Sequence, residues 1–340
     1  MQCETNSCVL ISDGDLIFYY TNFYIEDGYL IIKDNVNYLL TDGRYIESAK
    51  KQANAKCYLQ KDLSVFGLLK KLQVKKVGLV YGYTSALLLD SLIKNDYLVF
   101  DYTDENNDLI SVKSHLQLAK IKKACEITEK AFIKTLPCIK EGVTELEVAA
   151  VLEYNFKMLG GSTAFETIVA FGSGGSVPHY VTGSKKLEKN MPILMDFGAS
   201  YQGFLSDMTR TLFFGTPTDK FLNVYDKVKN AHLKAVSEIR SGMLCCEADG
   251  ISRNYLKEFG LDNYFTHSLG HGIGVKIHEF PTLNPKSQTV LKDGMVFSVE
   301  PGVYLEGEFG VRIEDTVTLV NGKCKSLMNL GKDPIIISVE

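Results

Sequence analysis

Residues Met191–Phe214 read MPILMDFGASYQGFLSDMTRTLFF. Asp196 closes the apolar run PILM, and Asp207 stands shortly before a second apolar run, LFF. A strand, a turn around Ala199–Gly203 and a returning strand bring the two carboxylates together. Two more acids sit in similar company. Glu300 directly follows the apolar run of MVFSVEPGVY, and Glu314 lies within GVRIEDTVTLV. In that last stretch Val311, Ile313, Val317 and Leu319 alternate with Arg312, Glu314, Thr316 and Thr318, so a strand puts Arg312 and Glu314 on one face.

A charged carboxylate among core residues is costly unless it is paired or bound to metal. One such acid reads as a salt-bridge partner; four do not. The stretch Thr266–Glu279, THSLGHGIGVKIHE, supplies His267, His271 and His278 from a chain with only 6 histidines. Four carboxylates and one imidazole form an oxygen-rich donor set. It suits Mn²⁺, Zn²⁺, Co²⁺ or Fe²⁺, and two ions better than one, since four negative charges balance two divalent cations. Other short patterns lead nowhere. MDFGA contains DFG without a kinase's companion motifs, GSGGS lacks the order of a phosphate loop, and His278–Glu279 does not open an HExxH.

The 340 residues imply two domains, and a net charge of −4 offers no surface for nucleic acid. The N-terminal residues show no leader pattern, and no apolar run is long enough to span a membrane. Cysteines at 3, 8, 57, 125, 138, 245, 246 and 324 are scattered without a CxxC pair, which fits reduced thiols in a cytoplasmic protein.

The first hundred residues show an α/β pattern. LIFYY, YLIIK and VNYLLT read as strands with Gly28 and Asn35 in the turns between them. GRYIESAKKQAN reads as a helix, KVGLVYG as a strand, and TSALLLDSLIK as a helix capped by Thr84 or Ser85. The acidic run Asp101–Asp108 is the expected linker, dividing domain 1–108 from domain 109–340. Helices are expected over about 113–136, stopped by Pro137, and over Glu145–Leu159, where Thr144 and Glu147 make a capping box. A further helical pair, about 221–240 and 248–259, precedes a strand-rich end, so the second part looks like a half repeated.

The pieces SVPHY, MDFGASYQGFLSDMTR, HSLGHGIG, HEFP, FSVEPGVY and GVRIED, in this order and spacing, resemble the pita-bread (creatinase-like) metallopeptidases, above all their Xaa-Pro aminopeptidase and prolidase group. The match covers about 113–340, and LLTDGRYIESA resembles the group's N-terminal domain. The resemblance implies an α+β pita-bread catalytic domain preceded by a small α/β domain, and a homodimer. It implies two divalent ions, Mn²⁺ foremost with Co²⁺ or Zn²⁺ as alternatives. Asp196, Asp207, His271, Glu300 and Glu314 would be the ligands, Asp207 and Glu314 bridging. His267 and His278 would hydrogen-bond the scissile carbonyl and the tetrahedral intermediate, and His179 would line the proline side. Arg312 would hold Asp207 or Glu314 in place. The glycines of GHGIG would let backbone approach the site. A hydroxide bridging the two ions would attack the carbonyl before proline, and Glu300 would pass the proton to the leaving nitrogen.

Against this Xaa-Pro aminopeptidase stand an Xaa-Pro dipeptidase, a non-catalytic metal-binding scaffold, a methionine aminopeptidase and a creatine amidinohydrolase. Intact Glu300 and His267 argue against the scaffold. The additional N-terminal domain argues against the methionine enzyme, and a complete ligand set against the creatine enzyme, whose chemistry needs no metal.

Overall fold

The computed structural model describes residues 6–339. The chain divides into two compact units, one running to Ile110 and one beginning at Ser111.

The first unit contains, in order, β1 (Ser7–Ile11), α1 (Gly14–Thr21), β2 (Gly28–Lys33), β3 (Val36–Thr41), α2 (Ile46–Gln52), β4 (Lys56–Leu59), α3 (Val65–Lys71), β5 (Lys76–Leu79), α4 (Ala86–Lys94), β6 (Leu98–Asp101) and α5 (Thr103–Ser111). Its sheet runs β4-β3-β2-β1-β5-β6. Alternate residues of one strand enter different cores, as the pleat requires. Cys8 and Leu10 pack with Leu68, Leu69, Leu88 and Leu92, whereas Val9 and Ile11 pack with Leu16, Ile17 and Ala49.

Three expectations fail here. LIFYY forms most of helix α1, not a strand: Asp13 caps it by accepting from Leu16 N at 3.0 Å, and Leu16, Ile17 and Thr21 turn inward together. Local capping and a helical burial pattern override the strand preference of aromatic and branched residues. Gly28 begins β2 instead of lying in a turn, and a Cβ there would meet Leu40 O at 2.5 Å. The acidic run Asp101–Asp108 is not an open linker. It ends β6 and forms the start of α5, with Asp101 Oδ1 accepting from Thr103 N at 2.9 Å.

The second unit opens with α6 (His115–Thr135) and α7 (Glu145–Met158), both with complete capping boxes. There follow β7 (Ser162–Thr163), β8 (Ile168–Phe171), β9 (Met191–Phe197), β10 (Ala199–Tyr201), β11 (Phe204–Leu205), β12 (Met208–Phe214), α8 (Asp219–Glu238) and α9 (Cys245–Lys257). The remaining strands are β13 (Gly270–Gly272), β14 (Glu279–Leu283), β15 (Val296–Val299), β16 (Gly302–Leu305), β17 (Phe309–Arg312), β18 (Asp315–Val320), β19 (Lys323–Ser326) and β20 (Ile335–Ile337). One sheet runs β20-β12-β9-β8 and another β14-β13-β15-β18-β19, while β16 and β17 form a hairpin. Behind β15 and β18 lies a core of Val228, Ala231, Leu256, Phe297, Val317 and Leu319.

The expected turn after β9 is a tight one at Gln202 and Gly203, both with positive φ, between β10 and β11. Glu314 is not inside a strand. It occupies the two-residue break between β17 and β18, where Glu314 N donates to Thr209 O at 3.1 Å. Among the described residues no helix is long and apolar enough to cross a membrane. Cys8, Cys57, Cys125, Cys138, Cys245, Cys246 and Cys324 are free thiols, and Cys3 lies outside the described residues.

Candidate metal centre and cavity

Antiparallel pairing of β9 with β12 places Asp196 opposite Thr209, and Asp207 just precedes β12. The break before β18 brings Glu314 beside them. His271 sits in the middle of β13, and Glu300 directly follows β15, which pairs with β13. Strands β9 and β13, and the ends and breaks beside β12, β15 and β18, thus bring the expected ligands together from different parts of the chain.

Asp207, His271 and Glu314 each offer one ligand atom, and these atoms lie within 4.8 Å of one another. His271 Nε2 is 3.6 Å from Asp207 Oδ2 and 3.4 Å from Glu300 Oε1. Asp196 stands outside this closest group: its Oδ2 accepts from Arg312 Nη2 at 2.6 Å. Arg312 therefore holds Asp196 and not, as expected, Asp207 or Glu314. It reaches Glu314 only through Thr209, whose hydroxyl accepts from Arg312 Nε at 2.9 Å and donates to Glu314 Oε2 at 2.6 Å. A guanidinium is planar, so the fork that meets Asp196 cannot turn to the other acids as well.

The cluster is electrostatically incomplete as a set of side chains. Asp196 Oδ1, Asp207 Oδ1 and Glu314 Oε1 are buried and accept no hydrogen bond. Burial, then repulsion from neighbouring carboxylates, pushes Asp207 and Glu314 well above the usual carboxylate range. Burial is also the main force that lifts Glu300 to about 8, against the pull of Arg312. Unpaired buried acceptors converging from separate strands are what divalent cations compensate, and the oxygen-rich donor set with one imidazole fits them.

A cavity of about 470 Å³ borders this cluster, and Asp196, Asp207, His271, Glu300 and Glu314 line it together with His179, His267, His278 and Arg312. The ring of His278 stands edge-on to that of His271 at 4.3 Å. His267 is engaged on both nitrogens: Nδ1 is 2.8 Å from Ser268 O and Nε2 is 2.8 Å from the Tyr304 hydroxyl. A carbonyl can only accept, so Nδ1 carries the proton and Nε2 presents a lone pair to the hydroxyl. Tyr304 in turn accepts from Arg312 Nη1 at 2.7 Å. Burial, then the positive charge of Arg312, lowers His267 to about 3, which keeps the ring neutral.

Two glycines of GHGIG, Gly270 and Gly272, allow close contact between strands, and Gly270 also lines the cavity. A Cβ on Gly270 would lie 1.9 Å from Ser298 O.

Reading the sequence missed several partners. Thr209 and Tyr304 were not singled out, although Thr209 lies two positions from Asp207 and so on the same side of an extended chain. Ser298, which donates to Glu300 Oε1 at 3.0 Å, is likewise two positions from its acid. The buried ion pair of Lys113 with Glu279, beside His278, joins residues too distant in sequence to leave a local signal.

Known proteins extend this picture. The model of the Creatinase/Prolidase N-terminal domain matches residues 1–99. A protein named Xaa-Pro dipeptidase from Pyrococcus horikoshii is 36% identical over 98% of this chain and 96% of its own length. Among solved structures, an Xaa-Pro dipeptidase from Bacillus anthracis is similar with a TM-score of 0.92 at 34% identity, covering 97% of this chain and 95% of that one. An X-Pro aminopeptidase from Thermotoga maritima follows with 0.89 at 33% identity, covering 97% of each chain. The architecture is the pita-bread α+β unit preceded by a small α/β unit. The model of metallopeptidase family M24 matches residues 119–321, and the chain belongs to that family.

Proposed function

We propose that this metallopeptidase hydrolyses the Xaa–Pro bond at the N-terminus of peptides, and that it acts as an aminopeptidase on chains longer than two residues. The charge of the cavity carries the reading. Asp196, Asp207, Glu300 and Glu314 face it, and the exposed Glu166 adds a fifth carboxylate. Among the described residues, Arg312 is the one Lys or Arg of the lining, and it is committed to Asp196 and Tyr304. Two divalent ions and Arg312 together balance the five carboxylates and leave no uncommitted cation in the lining. A dipeptide brings a free carboxylate directly on its proline, for which this lining holds no partner; a longer peptide brings a neutral amide.

In this reading Asp196, Asp207, His271, Glu300 and Glu314 hold two divalent ions, Mn²⁺ or alternatively Co²⁺ or Zn²⁺. Such ions supply Lewis-acid polarisation of a carbonyl and a water acidified toward neutral pH. The protein's own groups do the rest. Glu300, beside His271 on the cavity wall, accepts the proton released by the attacking water and passes it to the leaving proline nitrogen. His278 donates to the carbonyl oxygen as negative charge grows there. His267, with a lone pair on Nε2, accepts from the hydroxyl of the tetrahedral intermediate. Arg312 keeps Asp196 turned inward, and His179 borders the proline. A homodimer in a reducing cytoplasm completes the proposal, and the free thiols support that compartment.

The name of the Pyrococcus horikoshii relative, Xaa-Pro dipeptidase, favours a second reading in which the substrate ends at proline. Hydrolysis of Ala-Pro and Ala-Pro-Pro, by protein stripped of metal and reloaded with Mn²⁺, Co²⁺ or Zn²⁺, separates the two. The aminopeptidase reading expects the tripeptide to be cleaved at least about tenfold faster, the effect of one unfavourable charge contact of about 1.4 kcal/mol. Cleavage of the dipeptide alone replaces it with the second reading.

A further inference from the structure

We infer that Asp249, gripped by Arg253 on helix α9, sets which nitrogen of His267 carries the proton, and does so through the peptide unit between Ser268 and Leu269. This rests on the reading that His267 serves the reaction. Residues Phe265–Leu269 belong to no helix or strand, yet they carry a side chain whose tautomer decides its role. Their fixings come from α9. Asp249 Oδ1 accepts from Leu269 N at 3.0 Å. Arg253 donates to Phe265 O at 2.8 Å and to His267 O at 2.9 Å. The two side chains, four residues apart on α9, also hold each other: Arg253 Nε meets Asp249 Oδ2 at 2.8 Å and Nη2 meets Oδ1 at 3.0 Å. The guanidinium lies over the Phe265 ring, which meets the His267 ring edge-on at 5.1 Å.

The geometry of the peptide bond turns this grip into a proton assignment. In a trans peptide the N–H and the C=O point in opposite directions. Asp249 draws the Leu269 N–H toward α9, so the Ser268 carbonyl faces the other way, onto His267 Nδ1 at 2.8 Å. That carbonyl selects the Nδ1–H form and reserves the Nε2 lone pair for the cavity side, where it now meets Tyr304. Asp249 is 1% exposed and is neither a lining residue of the cavity nor an expected ligand, so it is a positioning residue acting through a backbone unit. Burying an acid there for packing alone is costly; the backbone amide and the guanidinium offset that cost while fixing one orientation.

The test is ¹⁵N NMR of the imidazoles in zinc-loaded protein, with His267→Ala to assign the signal, beside steady-state kinetics and metal analysis. Wild type is expected to show a pyridine-like Nε2 and a protonated Nδ1. Asp249→Ala is expected to shift His267 to a mixture of tautomers and to lower kcat about ten- to a hundredfold, with KM and metal content kept within about threefold. Asp249→Asn, whose amide oxygen still accepts from Leu269, should retain the wild-type tautomer and more of the activity, and guards against an alanine variant that folds poorly. An unchanged tautomer in Asp249→Ala overturns the inference. Wild-type kcat in His267→Ala would instead remove the catalytic reading of that histidine while leaving the tautomer result to stand on its own.

Discussion

Asp207 and Glu314 are 5% and 2% exposed, and each carries one buried oxygen without a hydrogen-bond partner. Those two facts predict how substitutions separate. Asp207→Asn or Glu314→Gln removes a negative charge and puts amide hydrogens where cations are needed. Metal content, read by elemental analysis, is expected to fall together with activity. Variants that keep both ions but lose turnover would show that the two acids are not ligands. The acids themselves were legible because ionised residues bounded by apolar runs are rare without a reason. Their partners were less so. Arg312 could be placed on the same face as Glu314, yet its salt bridge goes to Asp196, a residue on another strand, and pairing between strands is not written in either one.

Among elements, the helices of the second unit were the easiest to read. Ser114 with Gln117, and Thr144 with Glu147, mark their starts through reciprocal capping that needs no tertiary information. The first unit was harder: LIFYY has strand composition, and only the cap at Asp13 and the four-residue step of burial from Ile17 to Thr21 reveal the helix. Glu314 shows the converse limit, since a regular alternation continues straight through a break whose backbone bonds go to Thr209 and Pro301, elsewhere in the chain. Strand β13 is the element most exposed to a single change. It is three residues long, holds His271, and packs Gly270 directly against the backbone of Ser298. Gly270→Ala is expected to push β13 from β15, with a loss of at least about 2 kcal/mol in chemical denaturation. His271 would move with it. A variant as stable as wild type would mean that the strand has slack the structure does not suggest.

For the molecule as a whole, acid sensitivity has an identifiable source away from the cavity. His232 of α8 is 1% exposed, with neither ring nitrogen hydrogen-bonded, and its Nε2 is 3.8 Å from Asp315. Burial lowers it to about 4 despite the attraction of Asp315. Its folded value lies below the unfolded one, near 6.5. The associated stability is therefore complete above about pH 6.5 and is lost as pH falls toward 4, an effect on the order of 3 kcal/mol. His232→Leu should flatten that part of a Tm-against-pH curve; an unchanged slope would assign the acid loss elsewhere. Length alone implied more than one unit, whereas the helical nature of the acidic run, which lies inside the first unit, was not legible.

The crowding of buried acids also bears on how the protein would fare in a living cell. A copy folded without cations either holds these acids charged against one another or buries them protonated, and a copy that has captured its cations is relieved of that cost. Quality control removes chains in proportion to the time they spend open. Under scarcity of divalent ions the cell would then hold fewer molecules, each one loaded, instead of a constant number standing idle, and abundance itself would report the supply.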